Sequence, residues 1–600
     1  MRSARVPAER STPRGVAAVV AWPQVSDGVL AGVVFLAALA VYLNTLAHGF
    51  VWDDLITLDQ RVRFYRSPLD AFLEPADIPG FPGVFRPLTS TSLWLDQYLW
   101  WRNPFGFHLT SVLLHALNAA LVYLVARRIG CHAPAALVGA LLFAVHPIHT
   151  EAVAWVTARV DVLATTFTLL AMLAFARLRA RPRDVWGMAI AIAVCAFAAA
   201  ASKEPGVVVP ALIVAAAMVP TARAVITDRT AWIGVAASSA GVLAYLALRQ
   251  VNRAGGAEHL AAPTAASLGR LFLAFGFYVE RLVVPVELCA YLPEVPGGAT
   301  VVAFAILGLV AVALAARAPR ARFAVLWILV TLAPSMLVVL ADISVTAVAE
   351  RYLYLPSIGL ALLAAIVLAA RPPLRRLAPE AVAIAAVLAL LATATVLRNR
   401  VWHDEITLWS DVTRQQHGFA LPYMNLGLAL ADAGRLDEAE AAYHAALDAQ
   451  ASPTTKRDTY VNLGHLELRR DRLDDALALF TRANAIAPHA SAHYGIGAVY
   501  RARARAALAS GDTQTAGENF ARAEGALTAA LRINPRHYKS EFLLATVLYQ
   551  GGDFTRALEH FRHVVEVAPD SDVGRQAAGA AGDLAAWLAD PAHRADAAGR

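Results

Sequence analysis

From residue 29 to residue 397 the chain is a succession of apolar runs rich in Ala, Leu and Val, broken by short polar stretches. A helix rises about 1.5 Å per residue and a bilayer core is about 30 Å thick, so a crossing takes roughly 20 apolar residues, fewer where arginines snorkel. The runs at 29–46, 109–126, 134–149, 160–176, 185–201, 206–220, 231–248, 300–316, 323–340, 355–370 and 381–397 suit that requirement. About eleven spans follow. The first run stands behind Arg2, Arg5, Arg10 and Arg14 but lacks a small-x-small cleavage site and is long enough to stay as helix one.

Hydrophobic residues make up 58% of the 600 and charged residues 16%, too apolar a balance for a soluble chain. Beyond residue 398 acidic and basic residues mix at helical spacing, so a second, water-facing domain begins near Arg398. The net charge of +6 comes with no basic stripe interleaved with aromatics, and no nucleic-acid partner is expected. Cys131, Cys195 and Cys289 form no CxxC or metal-ligand spacing, so neither a disulfide nor structural zinc is expected.

Cytoplasmic loops collect Lys and Arg, which makes orientation readable. With the N-terminus inside, alternate loops carry Arg127 and Arg128; Arg177, Arg179, Arg181 and Arg183; Arg223 and Arg229; Arg317, Arg320 and Arg322; and Arg371, Arg375 and Arg376. The segment 268–284 is apolar but holds Arg270, Glu280 and Arg281; counting it as a span would break the alternation, so it reads as interfacial or re-entrant. The C-terminal domain is then outside the cytoplasm.

The remaining loops open on that outer side and gather the polar residues. The first, a large loop at 47–108, starts with Val51-Trp52-Asp53-Asp54 and includes Arg86. Others carry His146, His149 and Glu151, then Arg159 and Asp161, then Lys203 and Glu204, then Glu350 and Arg351. Each cluster sits where an apolar run ends, near bilayer depth, where polar groups need partners or a watery cavity. Arg159, Lys203 and Arg351 could neutralise a phosphate, and Asp53 or Asp54 offers a general base. That combination suits a lipid-phosphate donor. Taken singly, His146, Glu204 and Asp161 also read as helix anchors or caps, and Glu350 with Arg351 as a structural ion pair.

From Leu421 the sequence repeats with the helix-turn-helix logic of tetratricopeptide units. Leu426-Gly427 with Ala439, Tyr443 and Ala446 mark the first unit, and Leu463-Gly464 with Ala476, Phe480, Ala483 and Pro488 the second. The third starts at Tyr494-Gly495-Ile496-Gly497, is stretched between Arg501 and Asn519, and ends at Pro535; the fourth ends at Pro569. Leu584, Ala585, Trp587 and Leu588 predict a capping helix ahead of a frayed tail. Such arrays bind extended peptides or proteins.

These residues together resemble the transmembrane and tetratricopeptide-repeat (TMTC) O-mannosyltransferases. The resemblance rests on Phe50-Val51-Trp52-Asp53-Asp54, Arg86-Pro87-Leu88-Thr89, Asn103-Pro104-Phe105-Gly106, Phe143 through Val153, Ser202-Lys203-Glu204 and Ala349 through Pro356. It implies a GT-C glycosyltransferase fold, a polyprenyl-phosphate sugar donor (a hexose such as mannose), an acidic residue as catalytic base falling on Asp53 or Asp54, and inverting displacement at the anomeric carbon. The Ala-, Arg- and Pro-rich composition resembles a bacterial relative, placing the chain in a cell inner membrane, N-terminus cytoplasmic and repeats periplasmic. Asp53 with Asp54 could help hold a divalent ion; no other cofactor is implied.

The expected fold is all-α: a polytopic GT-C-like membrane domain plus a C-terminal tetratricopeptide solenoid. The division is a cytoplasmic segment 1–28, a transmembrane domain 29–397, a connector 398–420, repeats 421–569, and a cap and tail 570–600. The expected function is sugar transfer to a hydroxyl of an acceptor, a protein or peptide recruited by the repeats. The alternative is a non-catalytic membrane scaffold for periplasmic protein assembly.

Overall fold

The computed structural model describes residues 25–60, 62, 65–73, 84–181, 184–219, 228–252, 264–341, 346–371, 379–569 and 571–590. Arg2, Arg5, Arg10, Arg14, Arg183, Arg223, Arg375 and Arg376, which carry part of the charge alternation, lie outside them. Among the described residues the regular elements are helices, with one isolated bridge between Phe419 and Gln450. The chain is all-α and divides into two compact units, Met1–Leu408 and Trp409–Arg600.

Among the described residues of the first unit, seven helices are long and apolar enough to cross a membrane: Asp27–Ala47, Pro104–Arg128, Arg159–Ala180, Val185–Ser202, Arg229–Val251, Pro319–Ala341 and Pro379–Trp402. An eighth is broken: Ala133–Val145 and Pro147–Ala154 meet at 46°. His146 before Pro147 is driven out of helical geometry, to φ −76° and ψ 124°. Glu204–Ala217, Ala299–Ala315 and Ser357–Ala369 are shorter apolar helices. Each of the sequence's apolar runs thus falls on a helix.

Membrane helices gain little from hiding apolar surface from one another, so they associate by close packing of small residues. At Gly139 an added Cβ would lie 2.4 Å from the Ala361 carbonyl oxygen, and at Gly241 2.1 Å from that of Ala193. Around these contacts Tyr123, Phe143, Phe175 and Trp327 form a continuous buried core.

The segment carrying Arg270, Glu280 and Arg281 is the helix Ala265–Val283. It packs on the helix Ala299–Ala315, with Gly276 against Val301 and Ala305, and with Phe275 and Val279 against Gly308.

Among its described residues the second unit holds the end of the helix Glu405–Gln415 and then four helix pairs, Ala420–Asp432 with Leu436–Asp448, Pro453–Arg469 with Leu473–Ile486, Ala490–Ala509 with Thr513–Ile533, and Tyr538–Gly551 with Phe554–Val567, followed by Asp572–Ala589. The signature glycines sit where bulky side chains arrive: Gly427 under Tyr443, Gly464 and Gly495 under Phe480. The stretch in the third unit is no loop. It lengthens both helices, to 20 and 21 residues, against 13 to 17 in the other pairs.

Candidate functional site

The first apolar helix ends in a sharp turn. Trp52 sits at φ +60°, unusual for a bulky residue, and its N–H donates to Glu405 Oε1 at 2.7 Å. The two aspartates that follow have different surroundings. Asp54 is 1% exposed, and its Oδ2 accepts from the Val51 N–H at 3.1 Å. Its Oδ1 accepts from the Thr157 N–H at 2.8 Å and hydroxyl at 2.6 Å. Burial is the main cause that pushes the Asp54 carboxyl up to about 7, with Thr157 pulling it down and Asp53 adding to the rise.

Asp53 is half-buried, and its Oδ1 is a buried oxygen with no hydrogen-bond partner among the described residues. Burial raises its affinity for a proton above the ordinary carboxylate range, while Arg351, Thr157 and Arg86 act in the opposite direction. A carboxylate near two cations with an uncommitted oxygen is equipped to take a proton.

Three ion pairs join the other candidate residues, and the arginines of two of them, Arg351 and Arg86, act on Asp53. Arg351 bridges to Glu151 through its guanidinium and through its N–H, which donates to Oε2 at 2.8 Å. Lys203 Nζ holds both oxygens of Asp161, at 2.6 and 2.7 Å. Arg86 meets Glu204 through Nε at 3.0 and 3.2 Å and through its terminal nitrogen at 2.9 Å. Tyr352 gathers two of the cations, its ring lying 5.0 Å from both Lys203 Nζ and the Arg351 guanidinium carbon.

Arg159 stands apart from these three. It is fully buried, 2.5 Å from Asp96, with Nε on the Ser111 hydroxyl at 3.1 Å and terminal nitrogens on Ser92 Oγ at 3.0 Å and the Phe107 carbonyl at 2.6 Å. Its donors are committed to protein groups, so the guanidinium ties Arg159–Ala180 to Pro87–Trp100 and Pro104–Arg128 and offers no free face to a phosphate.

The histidines also have packed roles. His146 accepts from the Ile148 N–H through Nδ1 at 3.3 Å and meets the Leu282 carbonyl through Nε2 at 3.2 Å, joining the bent span to the Ala265–Val283 helix. His149 Nε2 is 2.8 Å from Ser357 Oγ, its ring against Phe143 and Tyr354. Glu350 is 1% exposed and accepts from the Cys289 N–H; burial, with Glu151 nearby, pushes its carboxyl well above the usual range against the pull of Arg398.

A metal fits these residues poorly. Asp54 has both oxygens engaged by N–H and O–H donors, and among the described residues no group of three or more His, Cys, Asp or Glu side chains is placed to hold an ion.

A family model described as dolichyl-phosphate-mannose-protein mannosyltransferase matches residues 87–247, and a tetratricopeptide-repeat model matches 418–454 and 508–572. Protein O-mannosyl-transferase Tmtc1 of Drosophila melanogaster is 38% identical over 188 residues, 30% of this chain and 22% of that protein. Protein O-mannosyl-transferase TMTC2 of Mus musculus is 33% identical over 187 residues, 29% of this chain and 22% of that protein. Over the matched residues the chain is similar to TMTC proteins. Its match thus spans about a fifth of the length of these relatives. Among solved structures, the Saccharomyces cerevisiae Pmt1-Pmt2 complex bound to the sugar donor is 16% identical, covering 39% of this chain and 34% of that one, with a TM-score of 0.28.

The chain is a multi-pass membrane protein with a tetratricopeptide domain after its membrane half. Sequence reasoning missed three residues of the candidate site, Thr157, which brackets Asp54, Tyr352, between two cations, and Trp155, stacked on Trp52, and also Asp96, which engages Arg159 apart from it. A tyrosine next to Arg351 and a tryptophan just before Arg159 were visible as neighbours. The pairings of Thr157 and Asp96 span 103 and 63 residues and left no local signal.

Proposed function

We propose that the chain is a membrane glycosyltransferase that moves a hexose, mannose by the likeness to its relatives, from a polyprenyl-phosphate carrier to a hydroxyl of an acceptor protein. The observation that carries this reading is the asymmetry of the aspartate pair. Asp54 is bracketed by three donors, whereas Asp53 keeps an uncommitted oxygen within reach of the Arg351 and Arg86 charges.

In this reading Asp53 takes the proton from the acceptor hydroxyl as its oxygen attacks the anomeric carbon from the face opposite the phosphate, which inverts the centre. The carbon–oxygen bond to the phosphate breaks, and the lipid phosphate leaves with one further negative charge. Arg351, Lys203 and Arg86, already held and desolvated by their carboxylates, stabilise that charge as it develops. The alternation of basic loops supports an outer, periplasmic face for this site, with the N-terminus inside and the repeats outside to bring the acceptor.

A scaffold without catalysis would use the same ion pairs only as braces. Purified protein incubated with a synthetic polyprenyl-phosphate carrying radiolabelled mannose and candidate periplasmic proteins separates the two. Label appearing on protein supports transfer; no label from mannosyl, glucosyl or other polyprenyl donors, with partners still captured, makes the chain a scaffold.

A further inference from the structure

In the repeat unit the first helices of successive pairs pack side by side, and a row of rings joins three of them, Pro453–Arg469, Ala490–Ala509 and Tyr538–Gly551. His465 lies 6.0 Å from Tyr494, centre to centre, and Tyr494 lies 5.9 Å from His537, which precedes the third helix and is held by Ser540 Oγ at 2.6 Å. All three rings are partly exposed. Burial, with Lys539 and His537 nearby, pushes the His465 ring down to about 4, so it is neutral at ordinary pH.

The carboxylates on these three helices already have partners. Asp458 pairs with Arg457 at 2.8 Å, Glu467 with Arg470 and Arg472 at 3.2 Å, and Glu541 is met by His560 and His563 at 2.8 and 2.9 Å. The cations are less fully matched. The helix Ala490–Ala509 holds Arg501, Arg503 and Arg505 and no acidic residue. Arg503 reaches Asp474, but among the described residues neither Arg501 nor Lys539 forms an ion pair. Arg501 is half-buried, and its Nε is a buried nitrogen with no hydrogen-bond partner among those residues. Burial and Arg505 both act against its charge, a cost that an anion brought to it would offset.

Each of the two cations acts on the same row of rings. Arg501 follows Tyr494 by seven residues, two turns along one side of the helix, and pulls down the Tyr494 hydroxyl that burial raises. Lys539, one repeat further on, is exposed and acts on His465 and His537. Two separate cations beside uncharged rings suit an extended polypeptide with carboxylates at intervals. A nucleic acid carries a charge on every residue, more than this face can match.

We propose that this face of the repeat domain docks an extended, acidic segment of a partner protein, whose carboxylates pair with Arg501 and Lys539 while the chain packs on Tyr494 and His465. The proposal concerns recruitment by the repeats alone, so its outcome and that of the sugar-transfer assay are read separately.

The test titrates the purified full chain with a fluorescent peptide bearing glutamate at every third position, and with the same peptide carrying glutamine in those places. Wild type should bind the glutamate peptide about tenfold more tightly at low salt, the scale of one charged hydrogen bond at Arg501 added to a weaker exposed pair at Lys539, and the preference should shrink as salt rises. Lys539→Glu changes an exposed side chain, so it should keep the wild-type thermal midpoint and lose part of the preference. Lys539→Glu with Arg501→Gln, compared at matched folded concentration, should bind the two peptides alike. Wild type that binds both peptides equally or neither, a full preference in the folded double variant, or a single-stranded oligonucleotide bound more tightly than the glutamate peptide each overturns the proposal.

Discussion

Thr157 holds Asp54 with two hydrogen bonds, N–H at 2.8 Å and hydroxyl at 2.6 Å, both to Oδ1, and so joins the turn after the first apolar helix to the start of the Arg159–Ala180 helix. Removing the carboxylate leaves the buried donors of Thr157 and Val51 stranded, at about 1–3 kcal/mol for each group. Asp54→Ala should therefore lower the thermal midpoint of the detergent-purified protein clearly, and Asp54→Asn less so. A midpoint unchanged in Asp54→Ala would refute the bracing role.

The same carboxyl carries a pH dependence. Burial raises Asp54 from 3.8 to about 7, so the folded state holds its proton where the unfolded state has released it. The stability it contributes is fully present below 3.8 and is lost as pH rises through about 7. Thermal midpoints measured across that window should fall with rising pH, and the slope should flatten in Asp54→Asn.

Arg351 is both a brace and a member of the proposed phosphate site. Glu151 is fully buried, so Arg351→Gln strands its charge, at about 3–5 kcal/mol by analogy with broken buried pairs. The double variant Glu151→Gln with Arg351→Gln should recover much of the thermal stability but not the transfer rate. Because Arg351 favours the ionised form of Asp53, its loss should also move the acidic limb of the pH–rate profile upward. Recovery of both stability and rate in the double variant would make Arg351 a brace only.

Arg159 should behave differently from Lys203. With its donors taken by Asp96, Ser92, Ser111 and Phe107, Arg159→Met leaves Asp96 buried and unpaired and should cost about 3–5 kcal/mol. Whatever folded Arg159→Lys protein forms should keep the wild-type KM for donor. Lys203→Met paired with Asp161→Asn should fold and raise that KM. The reverse pattern would return Arg159 to the phosphate site.

The fold was legible because its constraints are local. Apolar runs, Leu-Gly pairs four turns ahead of an aromatic, and the His146-Pro147 dipeptide each dictate a span, a repeat or a kink within a few residues of sequence. The site was legible only as a set of candidates. Asp53 and Asp54 are neighbours with the same chemistry, and only tertiary partners more than 100 residues away set them apart. For the same reason Arg159 looked like Arg351: an arginine at the end of an apolar run reads alike whether its fork meets Asp96 in a packed core or borders a tyrosine in the site. The stretched third repeat was visible as extra residues, but that they extend both helices depends on Ala504, Ala507 and Ala523 packing into the repeat core.

In the proposed reaction Asp53, and not Asp54, removes the acceptor proton. The decisive experiment is mannose transfer from a polyprenyl-phosphate donor, measured for wild type, Asp53→Asn and Asp54→Asn at matched folded concentration. Transfer that falls at least about a hundredfold in Asp53→Asn, the low end of general-base contributions, with most of the rate kept per folded molecule in Asp54→Asn, is the expected result. Full transfer by folded Asp53→Asn, or loss confined to folded Asp54→Asn, would contradict it.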